Sequence, residues 1–234
     1  MHIDLIVFDM AGTTVLDGDA VSHTLRQALA GAGVRASREQ MTSVMSSLPN
    51  PAAIAILLAE FRGQEAASPS AVEAVHADFR RRILWYYESH PAVSECDGAS
   101  ELFAWCHRHG IRTGLDTGAS RDLAEAVIAR MRWRDRGLID ATVCSDEVPR
   151  GRPHPDMIHR LMADTGVADP SRVMKVGDTP MDIQEGRAAN CRFVVGITTG
   201  THSAEALQAH APTHVIAELL ELPDLLATAH EGAA

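Results

Sequence analysis

The first apolar run of the chain has no polar alternation and ends in a carboxylate. Leu5 to Phe8 are Leu, Ile, Val and Phe, and Asp9 follows them. Such a run is typical of a strand buried on both faces, as in the middle of a parallel sheet. Asp9 would then lie at the carboxyl end of that strand, where open α/β sheets place their ligands. Because a buried carboxylate is costly unless it is paired or bound to a metal, Asp9 needs a partner, and Asp178 is the candidate.

Helical periodicity without strands follows, up to about Pro91. Residues 15–19 contain Gly and Asp and are predicted to form a hinge. Four helices with no strand between them predict a bundle, and its place after the first strand predicts an all-helical cap domain inserted at residues 17–94. The apolar stripes and helices that carry this prediction are Val21, Leu25, Leu29 and Ala32; Met41, Val44, Met45 and Leu48; Pro51–Phe61; and, after the Ser68-Pro69 cap, Val72, Val75, Phe79 and Ile83.

Strands and helices alternate after the insertion, which predicts right-handed βαβ units. The fold class is therefore α/β, a doubly wound parallel sheet built from residues 1–16 and 95–234. The tail after Leu226 is expected to fray. The predicted strands are 111–116, 141–145, 172–176, 192–197 and 213–216, and the predicted helices are 98–109, 120–131, 155–165 and 180–189.

Composition narrows the class of protein. The chain has 234 residues, 46% of them hydrophobic, and a formal net charge of −10. The charge argues against a nucleic-acid surface and demands a locally positive pocket for any anionic substrate. The absence of a leader and of an 18-residue apolar run predicts a cytoplasmic protein that binds no membrane. Four scattered cysteines favour reduced thiols. A small-molecule substrate is expected, and a homodimer is left open.

Polar groups follow four of the predicted strands. They are Asp9; Thr117-Gly118; a basic loop at Arg150–Pro155; and Gly177–Asp182, with two carboxylates four residues apart. Taken singly, each has an ordinary explanation as a turn, a helix cap or a solvated loop. Because the carboxyl ends of parallel strands meet at one edge of the sheet, the four together predict one site.

These residue types suit phosphoryl transfer. Mg²⁺ takes one or two carboxylates and leaves room for water and substrate oxygens, which matches Asp9 with Asp178. Asp9 is also the candidate nucleophile, since carboxylates form aspartyl-phosphates. Thr117 and Arg152 would neutralise the transferred group. Asp182 would hold the metal ligands in place without itself binding the ion.

The motifs resemble those of the haloacid dehalogenase superfamily, and Asp-Met-Ala-Gly-Thr-Thr with Gly-Arg-Pro resembles its phosphonatase branch. The resemblance covers nearly the whole chain. It implies that Asp9 attacks phosphorus, that the Ala11 carbonyl joins Asp9 and Asp178 on Mg²⁺, and that Arg152 takes the place of the third-motif cation. The substrate-binding set that it implies is Gly12, Thr13, Thr117, Gly118 and Arg152.

Two departures limit that resemblance. Most phosphatases of the superfamily carry an Asp two residues after the nucleophile as general acid and base, and Ala11 stands there. Phosphonatases instead use a cap lysine that forms an imine, and the matching position here holds Pro49 or Asn50. Lys175 is the only lysine of the chain and is predicted to be structural. The imine route to phosphonoacetaldehyde is therefore disfavoured.

The leading prediction is a Mg²⁺-dependent hydrolase of a small phosphorylated or phosphonate metabolite, with a cap that closes over the site. Three alternatives stay open: a carbon-phosphorus hydrolase of phosphonatase type, a carbon-halogen hydrolase, and a non-catalytic binder of a phosphorylated ligand. His23 and His154 could transfer protons near neutral pH, but both are expected to be ordinary surface or packing residues.

Overall fold

A computed structural model describes residues 2–37, 40–41 and 50–231. The chain divides into two compact units, one formed by Met1–Asp17 with Ser94–Ala234 and the other by Gly18–Val93. That the second unit serves as a cap stays a prediction. Among the residues described, no helix combines the length and the apolar character needed to cross a lipid bilayer.

The first unit is organised around a six-stranded sheet in which all strand pairs are parallel. The strands are β1 Leu5–Asp9, β4 Arg112–Thr117, β5 Ala141–Cys144, β6 Val173–Gly177, β7 Phe193–Ile197 and β8 His214–Ile216. They lie in the order β5-β4-β1-β6-β7-β8, so β1 lies between two neighbours and every one of its residues is buried. The predicted α/β class is thus confirmed.

Helices follow the strands of this sheet. On one face, Met157, Ile158 and Leu161, from the helix that follows β5, pack with Leu5 and Val7 of β1 in one apolar cluster. Elsewhere in the unit, the Phe103 ring makes edge contacts with Phe8 at 5.3 Å and with Trp133 at 5.2 Å between ring centroids. The helices of this unit are α4 Ala99–Arg108, α5 Arg121–Met131, α6 Asp156–Thr165, α7 Pro180–Ala188, α8 Ala204–Gln208 and α9 Leu222–Glu231.

A short antiparallel ribbon lies where the sequence predicted a hinge. β2 (Val15–Leu16) pairs with β3 (Ser94–Glu95), Val15 opposite Glu95. Strands of two residues are too short to show an alternation of apolar and polar positions. The partner strand, moreover, comes only after the whole inserted segment. The part of the predicted hinge at Val15 and Leu16 is therefore extended and paired.

The helical unit contains α1 Ala20–Gly31, α2 Asn50–Arg62 and α3 Pro69–Ser89. The Ser68 side chain caps α3 by accepting a hydrogen bond from the Ala71 amide at 3.4 Å. Of the stripe predicted to face inward, Val75, Phe79 and Ile83 are buried, whereas Val72 is half-buried. The second predicted stripe has its later members, Val44, Met45 and Leu48, outside the described residues.

The predicted frayed tail is wrong for residues 227–231, which continue a helix, and residues 232–234 lie outside the described residues. Helix α9 runs from Leu222 to Glu231, and Leu222 and Leu226 are buried. Two leucines spaced four apart lie on one helix face and anchor it to the unit. The alanine-rich residues that follow have high helix propensity and continue the helix.

Candidate active site

Asp9 is the last residue of β1, and its side chain is buried against a cation. Its Cα pairs across the sheet with that of Asp116 on β4, and it is 4% exposed. Arg152 Nη1 lies 2.7 Å from Asp9 Oδ1. Burial first, and then the carboxylates of Asp182 and Asp178, raise the pKa of Asp9 to about 8 against the opposing effect of Arg152. A further positive charge beside Asp9 would therefore favour its ionised form.

Asp178 follows β6 and is held by two other loops. Thr13 Oγ1 donates a hydrogen bond to its Oδ1 at 3.3 Å, and the Thr201 amide donates to its Oδ2 at 3.4 Å. Gly12 has φ of +87°, and a Cβ there would lie 2.6 Å from Asp178 Oδ2; at Gly200 the distance would be 1.9 Å. Any other residue at these two glycines would push the carboxylate away.

Asp182 is fixed by the first turn of α7. Thr179 Oγ1 accepts from the Asp182 amide at 3.3 Å, and Asp182 Oδ2 accepts from the Thr179 amide at 3.1 Å, which forms a reciprocal capping box. The remaining oxygen, Oδ1, lies 3.1 Å from Arg152 Nη1 and 3.2 Å from Lys175 Nζ. Burial raises the pKa of Asp182, but Arg152 and Lys175 outweigh it and hold the pKa below its usual value.

Three buried carboxylates form a group that could hold a divalent cation. One oxygen each from Asp9, Asp178 and Asp182 lies within 4.8 Å of the other two. Burial and the neighbouring Asp182 raise the pKa of Asp178 to about 6. Carboxylates that repel one another in a buried site are hard oxygen donors suited to Mg²⁺ or a similar ion. The donor set therefore fits the predicted metal, with Asp182 already engaged by Arg152 and Lys175.

The loop after β5 brings Arg152 into the sheet edge. Its Nε lies 3.0 Å from Glu185 Oε2, and Nη2 contacts Asp116 Oδ1 and, at 3.2 Å, the Asp116 carbonyl oxygen. The side chain is only 13% exposed. All three guanidinium nitrogens thus meet acidic groups, and the fork geometry of arginine suits such multiple contacts.

The other predicted residues differ in where they lie: Thr117 and Gly118 are at the end of the strand next to β1, whereas Arg150 is paired with an acid outside the buried carboxylate group. Thr117 ends β4, directly after Asp116, and its Oγ1 accepts a hydrogen bond from the Ala119 amide at 3.1 Å. Gly118 has open space where a Cβ would point. Arg150 is instead paired with Asp156 at 3.0 Å on the exposed side of the loop, so the two arginines of this motif have different surroundings.

Sequence reasoning missed four features of the site. Asp116 and Glu185 complete the acid cluster, Lys175 lies inside it, and the loop after β7 reaches it through Thr199 to Thr201. Two signals were available: Glu185 lies one helical turn after Asp182, and Thr198–Gly200 is a further polar strand end. The burial of Lys175 had no signal, because a lysine within a strand is ordinarily exposed.

Buried carboxylates and a buried arginine thus meet at the strand ends of a parallel α/β sheet, an arrangement that suits an enzyme acting on phosphorylated compounds. Comparison with known proteins agrees. Residues 3–190 match the model of the haloacid dehalogenase-like hydrolases, and the chain belongs to that family. A phosphonoacetaldehyde hydrolase of Bordetella pertussis is 30% identical over 97% of this chain and 92% of that protein. An N-acetylmuramic acid 6-phosphate phosphatase of Pseudomonas aeruginosa is 31% identical over 82% of this chain and 80% of that protein.

Solved structures share the fold at lower identity. A predicted phosphoglycolate phosphatase from Haemophilus somnus superimposes with a TM-score of 0.81 at 17% identity, covering 97% of this chain and 99% of that one. CbbY from Rhodobacter sphaeroides, in complex with phosphate, gives 0.77 at 20% identity, covering 94% and 96%. At these identities the likeness concerns the fold alone.

Proposed function

We propose that this protein is a Mg²⁺-dependent phosphatase that hydrolyses a small phosphate monoester through an aspartyl-phosphate on Asp9. One observation carries the proposal: the Asp9 carboxylate ends the central strand, touches Arg152 at 2.7 Å and belongs to a buried group with Asp178 and Asp182. A nucleophile, a cation and metal-ligating acids are the parts that phosphoryl transfer requires.

Each residue has a part in this proposal. Asp9 supplies the attacking oxygen, and Arg152 binds oxygens of the transferred group and compensates their charge. Thr117, at the end of the neighbouring strand, and Gly118 would complete the phosphate contacts with Gly12 and Thr13. Asp9, the Ala11 carbonyl and Asp178 would hold Mg²⁺, with Asp182 behind them. When bound, the ion would neutralise charge on the phosphoryl oxygens and favour the ionised form of Asp9.

Cleavage of an ester is favoured over imine-dependent cleavage of phosphonoacetaldehyde. An imine requires an uncharged amine that reaches the aldehyde. Lys175, the only lysine of the sequence, is fully buried, and it contacts Asp116, Asp182 and Glu185. The three acids outweigh burial and the nearby Arg152, and they raise its pKa above its usual value. The cap lysine of phosphonatases is matched here by Pro49 or Asn50. Pro49 lies outside the described residues, and neither proline nor asparagine has a side-chain amine.

Carbon-halogen hydrolysis is the second candidate in the same fold, and it too manages without an Asp at position 11. It requires no metal ion. A group of buried carboxylates that could hold a cation is therefore not required for that reaction, and the presence of Asp178 and Asp182 beside Asp9 favours the phosphatase.

The test is a panel of substrates with Mg²⁺ and with EDTA: p-nitrophenyl phosphate, small sugar phosphates, phosphonoacetaldehyde and a haloacid. Ester hydrolysis that EDTA abolishes is expected. Asp9→Asn keeps the shape of the side chain but not its nucleophilicity, and we expect it to remove turnover while circular dichroism stays unchanged. Near wild-type turnover in Asp9→Asn would exclude covalent catalysis by Asp9.

Borohydride reduction during incubation with phosphonoacetaldehyde tests the imine route. No adduct is expected, because the Lys175 amine has no access to the aldehyde. A reduced adduct on Lys175, located by mass spectrometry, would instead establish a phosphonatase mechanism.

A further inference from the structure

Three buried carboxyl oxygens each lie between the same two cations. Asp182 Oδ1 is 3.1 Å from Arg152 Nη1 and 3.2 Å from Lys175 Nζ. Glu185 Oε2 is 3.0 Å from Arg152 Nε and 3.3 Å from Lys175 Nζ. Asp116 Oδ1 contacts Arg152 Nη2 and Lys175 Nζ as well. Lys175 therefore duplicates, from inside the protein, the contacts that Arg152 makes from the side of the site.

The sheet explains how a lysine reaches this position. Lys175 is in β6 and pairs with Val7 of β1, while Asp116 is in β4 on the other side of β1. Asp182 and Glu185 lie one turn apart on α7 and approach from that helix. Lys175 and the three acids are all fully buried.

Stability alone does not account for this arrangement. Taking an ammonium and several carboxylates out of water costs free energy that their attraction barely repays, so well-packed apolar residues of similar size would serve the fold as well or better. The buried charge of Lys175 must therefore have a role other than stability. The carboxyl oxygens that Lys175 shares with another cation indicate which residue it affects. That residue is Arg152.

We propose that Lys175 is a positioning residue for phosphoryl transfer: by compensating Asp116, Asp182 and Glu185 from the interior, it leaves the Arg152 guanidinium available to Asp9 and to the phosphoryl group. This proposal rests on the proposed function. Without Lys175, the three acids would be balanced by Arg152 alone, and its charge would be drawn from the site into the interior.

The contacts of Arg152 show why this competition matters. Nε and Nη2 are directed to Glu185 and Asp116, and only Nη1 reaches Asp9. Nη1 also faces Asp182, so the nucleophile and an interior acid share one nitrogen. Within the described residues Lys175 makes no ion pair with Asp9, and its charge only helps to lower the pKa of Asp9 from a distance. Its contacts with the acids that also bind Arg152 are therefore its main route to the site.

The experiment is a double-mutant cycle between Lys175→Met and Arg152→Met. Circular dichroism first establishes folding, and kcat/KM is measured with the best ester of the panel in Mg²⁺. We expect Lys175→Met to lower kcat/KM about tenfold or more when Arg152 is present, somewhat less than the loss of a direct oxyanion contact. In the Arg152→Met background the same change should cost less than about threefold, because the residue through which it acts is gone.

A second readout does not depend on turnover. Calorimetric affinity for inorganic phosphate, measured on the same four proteins, should fall about tenfold with Lys175→Met only where Arg152 is present. If Lys175→Met does not fold, Lys175→Gln replaces it, since it removes the charge and keeps a donor for Asp116. Asp140→Asn, which alters an ion-pair group outside the site, is the control for a general effect of lost charge.

The outcomes separate the two proposals. An equal loss in both Arg152 backgrounds, no loss at all, or failure of both Lys175 variants to fold would overturn the positioning role. Absence of ester hydrolysis by the wild type, or an active Asp9→Asn, would overturn the proposed function instead, and the phosphate-binding cycle would still decide the role of Lys175.

Discussion

At the scale of single residues, Ala11 determines how the proposed reaction can end. Its side chain is exposed, two residues after Asp9, and it has no group that could give a proton to a departing alkoxide. The alcohol or phenol part of an ester then departs easily only if its oxygen needs little protonation. Aryl phosphates should accordingly be better substrates than alkyl phosphates.

Ala11→Asp should restore general acid catalysis. We expect kcat/KM for an alkyl phosphate to rise by about 10²-fold, at the lower end of what general acids contribute. The kcat/KM for p-nitrophenyl phosphate should change little, because this ratio reports the steps up to loss of the leaving group, and p-nitrophenolate needs no proton. Steady-state kinetics with both esters measure the contrast, and Ala11→Asn is the control that keeps the size without the acid. Equal gains for both esters, or none, would contradict this explanation.

Gly200→Ala should disturb Asp178 specifically. The new methyl group would lie 1.9 Å from Asp178 Oδ2, so the carboxylate must move. We expect the Mg²⁺ concentration for half-maximal activity to rise, by about tenfold. Gly31→Ala is the matched control, because nothing lies within 4 Å of its added methyl, and it should leave the Mg²⁺ dependence unaltered. An unchanged Mg²⁺ requirement in Gly200→Ala would show that Asp178 is not a ligand.

How far single residues could be predicted depends on their surroundings. Asp9 and Asp178 follow apolar strands, so their position at the sheet edge can be read from the pattern. Lys175 lies within a strand, and the acids that surround it come from β4 and α7. Only the folded chain shows that this lysine is buried.

At the scale of elements, Asp140 joins α4, β4 and the loop before β5. Its carboxylate accepts from the Thr113 amide at 2.8 Å, and it contacts His107 and Arg112 at 2.9 Å each. Burial raises its pKa, but these hydrogen bonds outweigh burial and lower it overall. Because the folded-state pKa is depressed, the carboxylate contributes stability at neutral pH, and that contribution disappears as pH falls through the folded pKa.

Asp140→Asn should lower the free energy of unfolding by about 1 kcal/mol at pH 7, the usual value of one partly exposed charged hydrogen-bond group. The difference from wild type should shrink as the pH falls below about 4, where the carboxyl of the unfolded chain begins to be protonated, and it should vanish once the folded-state carboxyl is protonated as well. Urea unfolding at several pH values measures it. Asp164→Asn, which breaks only an exposed pair with Arg160, is the control and should cost less than about 0.5 kcal/mol. A pH-independent difference would contradict the assignment.

Strands and helices of the sheet were predictable because their periodicity is strong and long. The two-residue strands β2 and β3 were not, since pairing of such short segments depends on a partner far away in the chain. The end of α9 was missed for a different reason: alanine and polar residues near Leu226 look like a tail, although buried leucines before them start a helix.

At the scale of the whole molecule, a bound metal ion should stabilise the fold. An ion that binds the native state alone adds RT ln(1 + [L]/Kd), about 2.7 kcal/mol at 100 times Kd. We expect the melting temperature to rise with Mg²⁺ and to return after EDTA. Asp178→Asn should abolish the rise, whereas Asp164→Asn should keep it. A wild-type melting temperature that does not change when Mg²⁺ is added would contradict the proposed metal site.

The central place of β1 has a consequence for the chain during its synthesis. Leu5 pairs with Arg112 on one side and with Val173 on the other, so this apolar strand stays unpaired until both partner strands have been synthesised. At the usual pace of translation, β6 follows β1 after an interval on the order of 10 to 30 seconds. Throughout that interval an unpaired Leu-Ile-Val-Phe segment is open to association with other nascent chains. The strand that ends in the proposed nucleophile is thus also a segment that a chaperone would protect during synthesis.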